Sequence, residues 1–358
     1  MSGAAKTTTA QWRDYSLSNE APAPALTHED WYACPIPRKQ LRQLSRRSDG
    51  PALRDYTLWL GLLAASGLLA YLSWDTWWMV PAFLVYGLLY GSCADSRWHE
   101  CAHGTAFRSR RLNEAFYHLA SFMALKNAHL WRWSHARHHS HTIVVGRDPE
   151  IAFPRPPDLF GMVRNLLHLK TGPIEMSKLL RHSVGRLNEV ETDYVPESER
   201  AKVVWTARAY LAILAAVIVW SLAAQSWMPV MFVGLPTFYG SWLHHILSAT
   251  QHAGLAEDVP DHRLSCRTVH LNPVLRFIYS NMNYHLEHHM FPMVPFYALP
   301  ALHAAIREDC PPPYPSLWAA YREMIPAMIR QTRDPDHFVR RALPAGAQGH
   351  RAGATAAI

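Results

Sequence analysis

The sequence predicts an all-α membrane protein, with four transmembrane helices in two hairpins beneath a cytoplasmic helical cap. Three observations predict it. Long apolar runs occur in two pairs, the basic residues lie outside the turns within each pair, and histidines cluster in the segments that flank the runs. A helix needs about 20 apolar residues to cross a ~30 Å hydrocarbon core, so each run is a candidate crossing.

The composition favours a reducing compartment and a membrane surface. The 358 residues include five cysteines that form no C-x-x-C pair, which argues against a disulfide framework or a zinc knuckle. The formal net charge is +7, with the 22 histidines counted as neutral. Because Lys and Arg flank the apolar runs, anionic lipid headgroups match this charge better than nucleic acid does.

The first hairpin is predicted from the runs 56–74 and 76–94, which contain no charged residue and are separated by Asp75. A basic arm, residues 1–54, precedes the first run, so the run does not resemble a secretory signal. Trp74, Trp77 and Trp78 lie at the turn, as expected for an aromatic belt at a membrane surface.

The second hairpin is predicted from the block 209–243, which is uncharged and interrupted at Gln225, Ser226 and Pro229. Its length indicates two crossings, at about 209–224 and 228–245, joined by a tight turn. Buried helices of a soluble protein are the alternative, and this alternative is stronger here than for the first hairpin.

The basic residues predict the orientation. Both turns lack Lys and Arg, whereas the arm, the central segment and the tail at 311–358 carry them. By the positive-inside rule, the arm, the centre and the tail are cytoplasmic in a multi-pass protein of the inner membrane. Residues 55–310 then form the membrane domain, and the tail is expected to be partly disordered.

Three histidine clusters fall on the predicted cytoplasmic side. His99 and His103 are spaced i, i+4, so their imidazoles share one helix face. Two H-x-x-H-H patterns each place three imidazoles on one helical turn; their members are His135, His138, His139, His285, His288 and His289. Packing neutral imidazoles together gains little without a metal, because mutual repulsion resists protonation of the group. The clusters therefore predict a metal site.

The number of histidines favours two metal ions. Eight histidines exceed the three or four ligands of a zinc ion. We choose His252, beyond the last run, as a further ligand, with His244 and His245 as its competitors. Imidazole suits iron, zinc and copper, so the ligand type does not identify the metal. The histidines expected to be structural or exposed are His118, His168, His182, His303 and His350.

A zinc peptidase and a membrane haem carrier are two alternative functional classes. His99-Glu100-x-x-His103 matches a zinc peptidase signature, in which Glu100 would be the general base. That interpretation leaves the other six histidines unexplained. A membrane haem carrier fits less well, because haem ligands usually face each other within the membrane and these histidines lie outside it.

The three histidine boxes, in this order around two apolar hairpins, resemble the integral-membrane fatty acid desaturase and hydroxylase family. HECAHGTAF at 99–107 is similar to the first box of that family, and NYHLEHHMFPMVPFYALP at 283–300 is similar to the third. The resemblance covers about 55–310 and implies a centre of two Fe ions. Its ligands would be His99, His103, His135, His138, His139, His252, His285, His288 and His289. One departure is Ser248, where some relatives place an Asn four residues before the histidine matched to His252.

The resemblance also implies an O2-dependent oxidoreductase that desaturates an acyl or alkyl chain. Hydroxylation is an alternative. Another is desaturation of a small amino-acid-derived substrate, since the chain also resembles bacterial members linked to rhizopine catabolism (as a hydrocarbon oxygenase) and to dihydrorhizobitoxine.

A separate protein would supply the electrons, and carboxylates near the boxes would orient the ligands. The sequence lacks C-x-x-C and H-P-G-G motifs, so a separate ferredoxin, rubredoxin or cytochrome would donate electrons at the basic face. Four carboxylates would orient ligand imidazoles, or would instead form ordinary ion pairs with Arg97, Arg137 or Arg147. They are Glu100, Asp148, Glu150 and Glu287.

Overall fold

The computed structural model describes residues 13–17 and 30–347, and this part of the chain is helical. Its β-structure is limited to two isolated bridges, so the predicted all-α class is confirmed. In chain order the helices are α1 (Arg38–Leu44), α2 (Asp49–Leu72), α3 (Met79–Ala102), α4 (Arg110–Met123), α5 (Ala128–Ser140), α6 (Leu159–Asn165), α7 (Thr171–Ser183), α8 (Glu189–Tyr194), α9 (Glu197–Ala223), α10 (Met228–Phe232), α11 (Leu235–Gly240), α12 (Trp242–Ala249), α13 (His262–Ser265), α14 (Pro273–Ile278), α15 (His285–Met290), α16 (Leu299–Ile306) and α17 (Leu317–Gln331). The expectations for 1–12, 18–29 and 348–358, including disorder at the end of the tail, lie outside the described residues.

Helices α2 and α3 form the first predicted hairpin and pack against each other. The chain reverses around Asp75, which has a positive φ of 62°. Trp59 of α2 donates an indole hydrogen bond to the Leu89 carbonyl oxygen of α3 at 2.8 Å. Helix α3 continues to Ala102, past the predicted end at 94, and so carries His99 beyond the apolar run.

The segment predicted as a fourth crossing is not one continuous helix. Residues 228–245 form α10, α11 and the first part of α12. Gly234, with φ +93°, separates α10 from α11, and Pro229 and Pro236 each lie in a first helical turn. A proline there is compatible with the start of a helix, whereas it would break the interior of a longer one.

Among the described residues, two helical stretches are long and apolar enough to cross a membrane, judged by length and composition: Arg38–Leu72, which includes α1 and α2, and Glu197–Ala223. Their outer faces are apolar, with Leu72 at 67% and Leu222 at 72% exposure. Trp77, beside the first turn, is 93% exposed. Exposed apolar surface of this extent indicates a membrane-associated protein.

Helices α5 and α15 carry the second and third histidine boxes. The Asn127 side chain caps α5 by accepting the Leu130 N–H at 3.3 Å, and its amide donates to Val203 O of α9 at 2.8 Å. Asn283, just before α15, donates to Val269 O at 2.8 Å. These buried amides fix both box helices against the rest of the cap.

Candidate metal centre

Nine histidines converge in two groups between α3, α5, α12 and α15. The ligand atoms within each group lie within 4.8 Å of one another. The first group contains His99, His103, His135, His139 and His288, and the second contains His138, His252, His285 and His289. These are the nine histidines predicted as ligands from the sequence and the family resemblance.

The Nε2 atoms point toward one another within each group. In the first group, His135 Nε2 is 3.0 Å from His103 Nε2 and 3.2 Å from His139 Nε2. In the second group, His285 Nε2 is 2.9 Å from His252 Nε2 and 3.0 Å from His289 Nε2. Helical spacing accounts for the His135–His139 and His285–His289 contacts, because i, i+4 residues share a face. His103 and His252 come from other segments of the chain and reach these pairs through tertiary packing.

The outward-facing nitrogens of several histidines are held by hydrogen-bond acceptors. His138 Nδ1 is 2.8 Å from Asp148 Oδ2, and His135 Nδ1 is 3.0 Å from Glu150 Oε2. His252 Nδ1 is 2.8 Å from the carbonyl oxygen of Ser265. An acceptor at Nδ1 places the ring proton there and leaves the Nε2 lone pair free to bind a metal.

The carboxylate of Glu100 lies beside ligand histidines, whereas that of Glu287 bonds to residues outside the nine histidines. Glu100 is buried; its Oε2 accepts the Phe296 N–H at 3.1 Å, and its Oε1 lies 3.7 Å from His99 Nδ1 and 3.9 Å from His288 Nδ1. Burial raises the pKa of Glu100 to about 8. The Glu287 carboxylate accepts a hydrogen bond from Thr268 and lies 2.5 Å from His303 Nδ1, so its hydrogen bonds go to groups outside the nine histidines.

The histidines of both groups fit metal ions chemically. Burial lowers the pKa of His103 to about 4 and that of His252 to about 3, which keeps them neutral, as a metal ligand must be. Both ring nitrogens of His99 are buried without a hydrogen-bond partner among the described residues. A buried imidazole in that condition is costly, and coordination would compensate it. The donors therefore fit two metal ions.

A third group of possible ligands was missed from the sequence. His262, Cys266 and His289 place ligand atoms within 4.8 Å of one another, and His262 stacks on Trp31 with ring centroids 4.3 Å apart. His262 and Cys266 are spaced i, i+4, which is a detectable signal. Their proximity to the boxes depends on the chain path between α12 and α15.

The remaining histidines lie elsewhere. His244 Nε2 is 3.3 Å from Asp95, and His245 Nε2 is 3.0 Å from His168 Nδ1, so neither competitor of His252 joins the two groups. His182 Nε2 is 3.1 Å from Glu191. His118 is partly exposed beside Glu114 at 3.8 Å, and His350 lies outside the described residues.

A cavity of about 680 Å³ opens directly beside the two histidine groups. His99, His135, His138, His252 and His285 form part of its wall. Its size falls within the range of small-molecule sites in proteins. The cavity can therefore bring a bound molecule next to the candidate metal positions.

Comparison with known proteins identifies the family. The family model described as "Fatty acid desaturase" matches residues 75–321. The chain belongs to the fatty acid desaturase family. The expected family resemblance is thereby confirmed, and all three histidine boxes lie within the matched region.

Three relatives illustrate the similarity of this fatty acid desaturase family member. An "Omega-3 fatty acid desaturase, chloroplastic" from Glycine max is 24% identical over 273 residues, covering 71% of this chain and 58% of the relative. An "sn-1 oleoyl-lipid 12-desaturase" from Synechocystis is 23% identical over 271 residues, covering 71% and 75%. An "sn-1 acyl-lipid omega-3 desaturase (ferredoxin)" from Synechocystis is 37% identical over 91 residues, covering 25% and 24%. The chain thus spans less than two thirds of the Glycine max protein's length.

Proposed function

We propose that the protein is an O2-dependent di-iron desaturase that removes two hydrogens from an acyl or alkyl chain to form a C=C bond. The convergence of nine buried or half-buried imidazoles in two groups beside a 680 Å³ cavity carries the proposal. Membership of the fatty acid desaturase family supports it. Two electrons from a donor and two protons from the solvent, together with the two hydrogens of the substrate, reduce O2 to two molecules of water.

The two histidine groups would each hold one iron. An iron pair supplies the oxidising power that breaking an unactivated C–H bond requires, which no acid or base side chain provides. Asp148, Glu150 and the Ser265 carbonyl orient three of the ligands through Nδ1. Orientation of this kind is a usual contribution of groups around a metal ligand.

The cavity residues would place the chain against the centre. Trp98, Ile143 and Met282 supply apolar surface next to the lining histidines. A buried chain held there excludes water from the reacting carbon. Whether the second hydrogen is removed or an alcohol forms depends on the placement of that carbon, so hydroxylation is the closest alternative outcome.

The apolar helices support a proposed membrane arrangement. We place α2 and α3 as one hairpin and α9 with α10–α12 as the other, giving four crossings. The exposed tryptophans Trp77 and Trp227 would lie at the outer surface. The histidine centre and both chain ends would then be on the cytoplasmic side of the inner membrane.

A separate protein would deliver the electrons. The name of the Synechocystis relative given above includes ferredoxin. We infer that a ferredoxin, rubredoxin or cytochrome serves here, because the chain's cysteines form no C-x-x-C pair. Turnover by the purified protein with NADH alone would contradict this inference.

The peptidase alternative is poorly supported by the geometry. A single zinc ion bound by His99 and His103 would leave seven of the nine converging histidines without a role. Zinc sites in proteins use four ligands, or three and a water. The number of converging histidines therefore favours two metal ions over a single zinc ion.

Metal analysis followed by a substrate assay tests the proposal. The detergent-purified chain, expressed with added iron, should contain about two irons and little zinc. With ferredoxin, its reductase and NADPH, acyl lipids should lose two hydrogens by mass spectrometry. Gain of one oxygen atom would establish the hydroxylase instead, and one tightly held zinc with no iron would overturn the di-iron proposal.

A further inference from the structure

Two buried cysteines from distant parts of the chain are in contact. Cys34, before α1, has its Sγ atom 3.5 Å from Sγ of Cys310, which follows α16, although the two residues are 276 positions apart in the sequence. Both side chains are 3% exposed, and both are free thiols. The sulfur–sulfur distance of a disulfide is about 2 Å, so the two atoms would have to approach by about 1.5 Å to form a bond. Rotation about the Cα–Cβ bonds can supply a movement of this size.

Other contacts hold the two segments together beside the sulfur pair. The Tyr32 hydroxyl donates a hydrogen bond to the Asp309 carboxylate. The Arg263 guanidinium carbon lies 3.4 Å from the centre of the Tyr32 ring, and its Nη1 donates to the Asp309 carbonyl oxygen at 3.1 Å. Groups that a fold holds side by side react with each other as if at very high concentration. The two sulfurs are therefore positioned to combine with each other.

Cys310 also lies in the wall of a second pocket. This pocket has a volume of about 390 Å³, and Arg307 and Glu308 belong to the same wall. The side chains of these two residues are 63% and 89% exposed, so the pocket opens to the solvent. A small solute such as hydrogen peroxide can therefore approach Cys310 from the solvent.

Cys34 is less suited than Cys310 to be oxidised first. The contact with Cys310 and burial both raise the pKa of the Cys34 thiol, so Cys34 stays protonated at neutral pH. The thiolate is the form that an oxidant attacks. Cys34 also lies outside the wall of the second pocket. The order of reaction that fits these positions is Cys310 first and Cys34 second.

We propose that Cys34 and Cys310 form a reversible disulfide when the protein meets hydrogen peroxide. Peroxide first oxidises the Cys310 thiol to a sulfenic acid and is itself reduced to one molecule of water. The Cys34 sulfur then attacks the Cys310 sulfur, and its proton leaves with the hydroxyl group as a second water while the S–S bond forms. The two thiols together give two electrons to the peroxide. A dithiol such as dithiothreitol returns those electrons and restores both thiols.

The cross-link would join the amino-terminal arm to the segment after α16, beside the third histidine box. The Cys34 backbone N–H donates to Met290 Sδ at 3.1 Å, and Met290 is the last residue of α15. Closing so long a loop removes conformations from the unfolded chain, which stabilises the folded one. We expect the Tm of the oxidised protein to lie several degrees above that of the reduced protein. An equal or lower Tm would overturn this part of the proposal.

Thiol counting by mass spectrometry tests the inference on the full-length solubilised chain. The reduced protein is treated with graded hydrogen peroxide, quenched in acid, unfolded and alkylated with N-ethylmaleimide. Two of the five cysteines should no longer react, and a non-reducing digest should contain the Cys34 peptide joined to the Cys310 peptide. Dithiothreitol should restore all five thiols. Five free thiols after peroxide, a different cross-linked pair, or sulfinic acid at Cys310 without a cross-link would overturn the proposal.

Variants assign the order of the two steps. Cys34→Ala should leave the Cys310 sulfenic acid unresolved, so that dimedone adds to it, whereas Cys310→Ala should give no adduct at Cys34. Cys93→Ala removes another buried cysteine, on α3, and should cross-link like the unaltered chain. An adduct at Cys34 in the Cys310→Ala protein would overturn the proposed order. Gel filtration identifies any variant that does not fold, and the digest of the unaltered chain decides whether the disulfide forms.

The inference does not rest on the proposed function. The cross-link requires neither metal nor substrate, so it should also form in a chain stripped of metal and with diamide, which oxidises thiols directly. A cross-link in a chain that binds one zinc and no iron would overturn the di-iron proposal and leave this inference standing. Two irons and desaturation, with five free thiols after oxidation, would overturn this inference alone.

Discussion

His138 shows how neighbouring groups prepare a ligand imidazole. Asp148 Oδ2 lies 2.8 Å from His138 Nδ1 and also accepts the Ile143 N–H at 2.8 Å. Burial disfavours the charged form of His138, but the Asp148 carboxylate outweighs burial and raises its pKa. The carboxylate therefore holds a proton at Nδ1 and leaves Nε2 of His138 free for the metal position of the second histidine group.

Replacing Asp148→Asn should weaken metal binding. The neutral amide is a poorer acceptor for His138 Nδ1–H, and losses of about ten- to a hundredfold in metal affinity are usual for such changes. Competition with a chelator of known affinity measures the effect. Asp334→Asn, which alters an exposed pair with Arg330, is the control and should bind metal normally. Unchanged affinity in Asp148→Asn would show that His138 does not depend on the carboxylate.

Replacing His285→Ala should lower the iron content toward one per chain and abolish turnover. His285 Nε2 approaches both His252 and His289, so the second group loses a central donor. Elemental analysis and an oxygen-consumption assay provide the two readouts. His118→Ala removes a partly exposed histidine and should change neither. A fully loaded and active His285→Ala protein would remove His285 from the ligand set.

Residue types and spacing predicted the eight box histidines, because helical periodicity brings i, i+3 and i, i+4 rings together. His252 was chosen from its position beyond the last apolar run and from the family resemblance. The same reasoning did not reveal His262, which lies on a helix of four residues and reaches His289 through tertiary packing. Nor did spacing reveal that Glu287 bonds to His303. Carboxylate partners depend on rotamers and chain path, which a local pattern does not contain.

At the scale of helices, the packing of α3 against α11 depends on two glycines. A Cβ added to Gly240 would lie 1.8 Å from the Gly87 carbonyl oxygen, and one added to Gly87 would lie 2.1 Å from the Tyr239 ring. Both positions meet rigid groups. Close approach at this point holds α12, and with it His244, against the helix that carries His99.

Gly240→Ala should therefore reduce the amount of folded protein, with a cost of about 1–3 kcal/mol from overpacking. Fluorescence-detected gel filtration and the apparent Tm measure it. Gly61→Ala on α2 is the matched control, since nothing lies within 4 Å of its added Cβ. Because alanine favours a helix over glycine by about 1 kcal/mol, the control should be neutral or slightly stabilising. Equal Tm values for the two variants would contradict the packing argument.

The sequence predicted α2, α3 and α9 from uncharged length, but it did not predict the division of 228–245 into three helices. Apolar character indicates burial in lipid or protein, whereas Gly234 and the two prolines determine where the backbone turns. The apolar run alone carried no such information. Turn residues within an apolar segment are thus the better guide to its helical breaks.

At the scale of the whole molecule, the buried histidines make folding and metal binding sensitive to acid. The folded pKa of His103 is lowered to about 4 and that of His252 to about 3, from a usual value near 6.5. Between these values the unfolded chain binds more protons than the folded chain, so stability is lost as the pH falls below about 6.5. We expect the Tm of the metal-free chain to be level from about pH 8 to 7 and to fall from about pH 6 to 4, with bound metal released in the same window. Differential scanning fluorimetry checks this, and a constant Tm down to about pH 4 would contradict it.

The proposed orientation of the whole chain in the membrane predicts which positions can be labelled from outside the cell. If both turns face outward, Thr76→Cys and Gln225→Cys should react with a membrane-impermeant maleimide in intact spheroplasts. Arg186→Cys, on the basic side, should react only after permeabilisation, because the positive-inside rule places that segment in the cytoplasm. All three positions are exposed and the five native cysteines are buried, so background labelling should be low. Labelling of Arg186→Cys in intact spheroplasts, with protection of the two turns, would reverse the orientation and place the histidine centre outside. Labelling of only one of the two turns would leave two crossings instead of four, because the helices on both sides of the unlabelled turn would then stay on the cytoplasmic side.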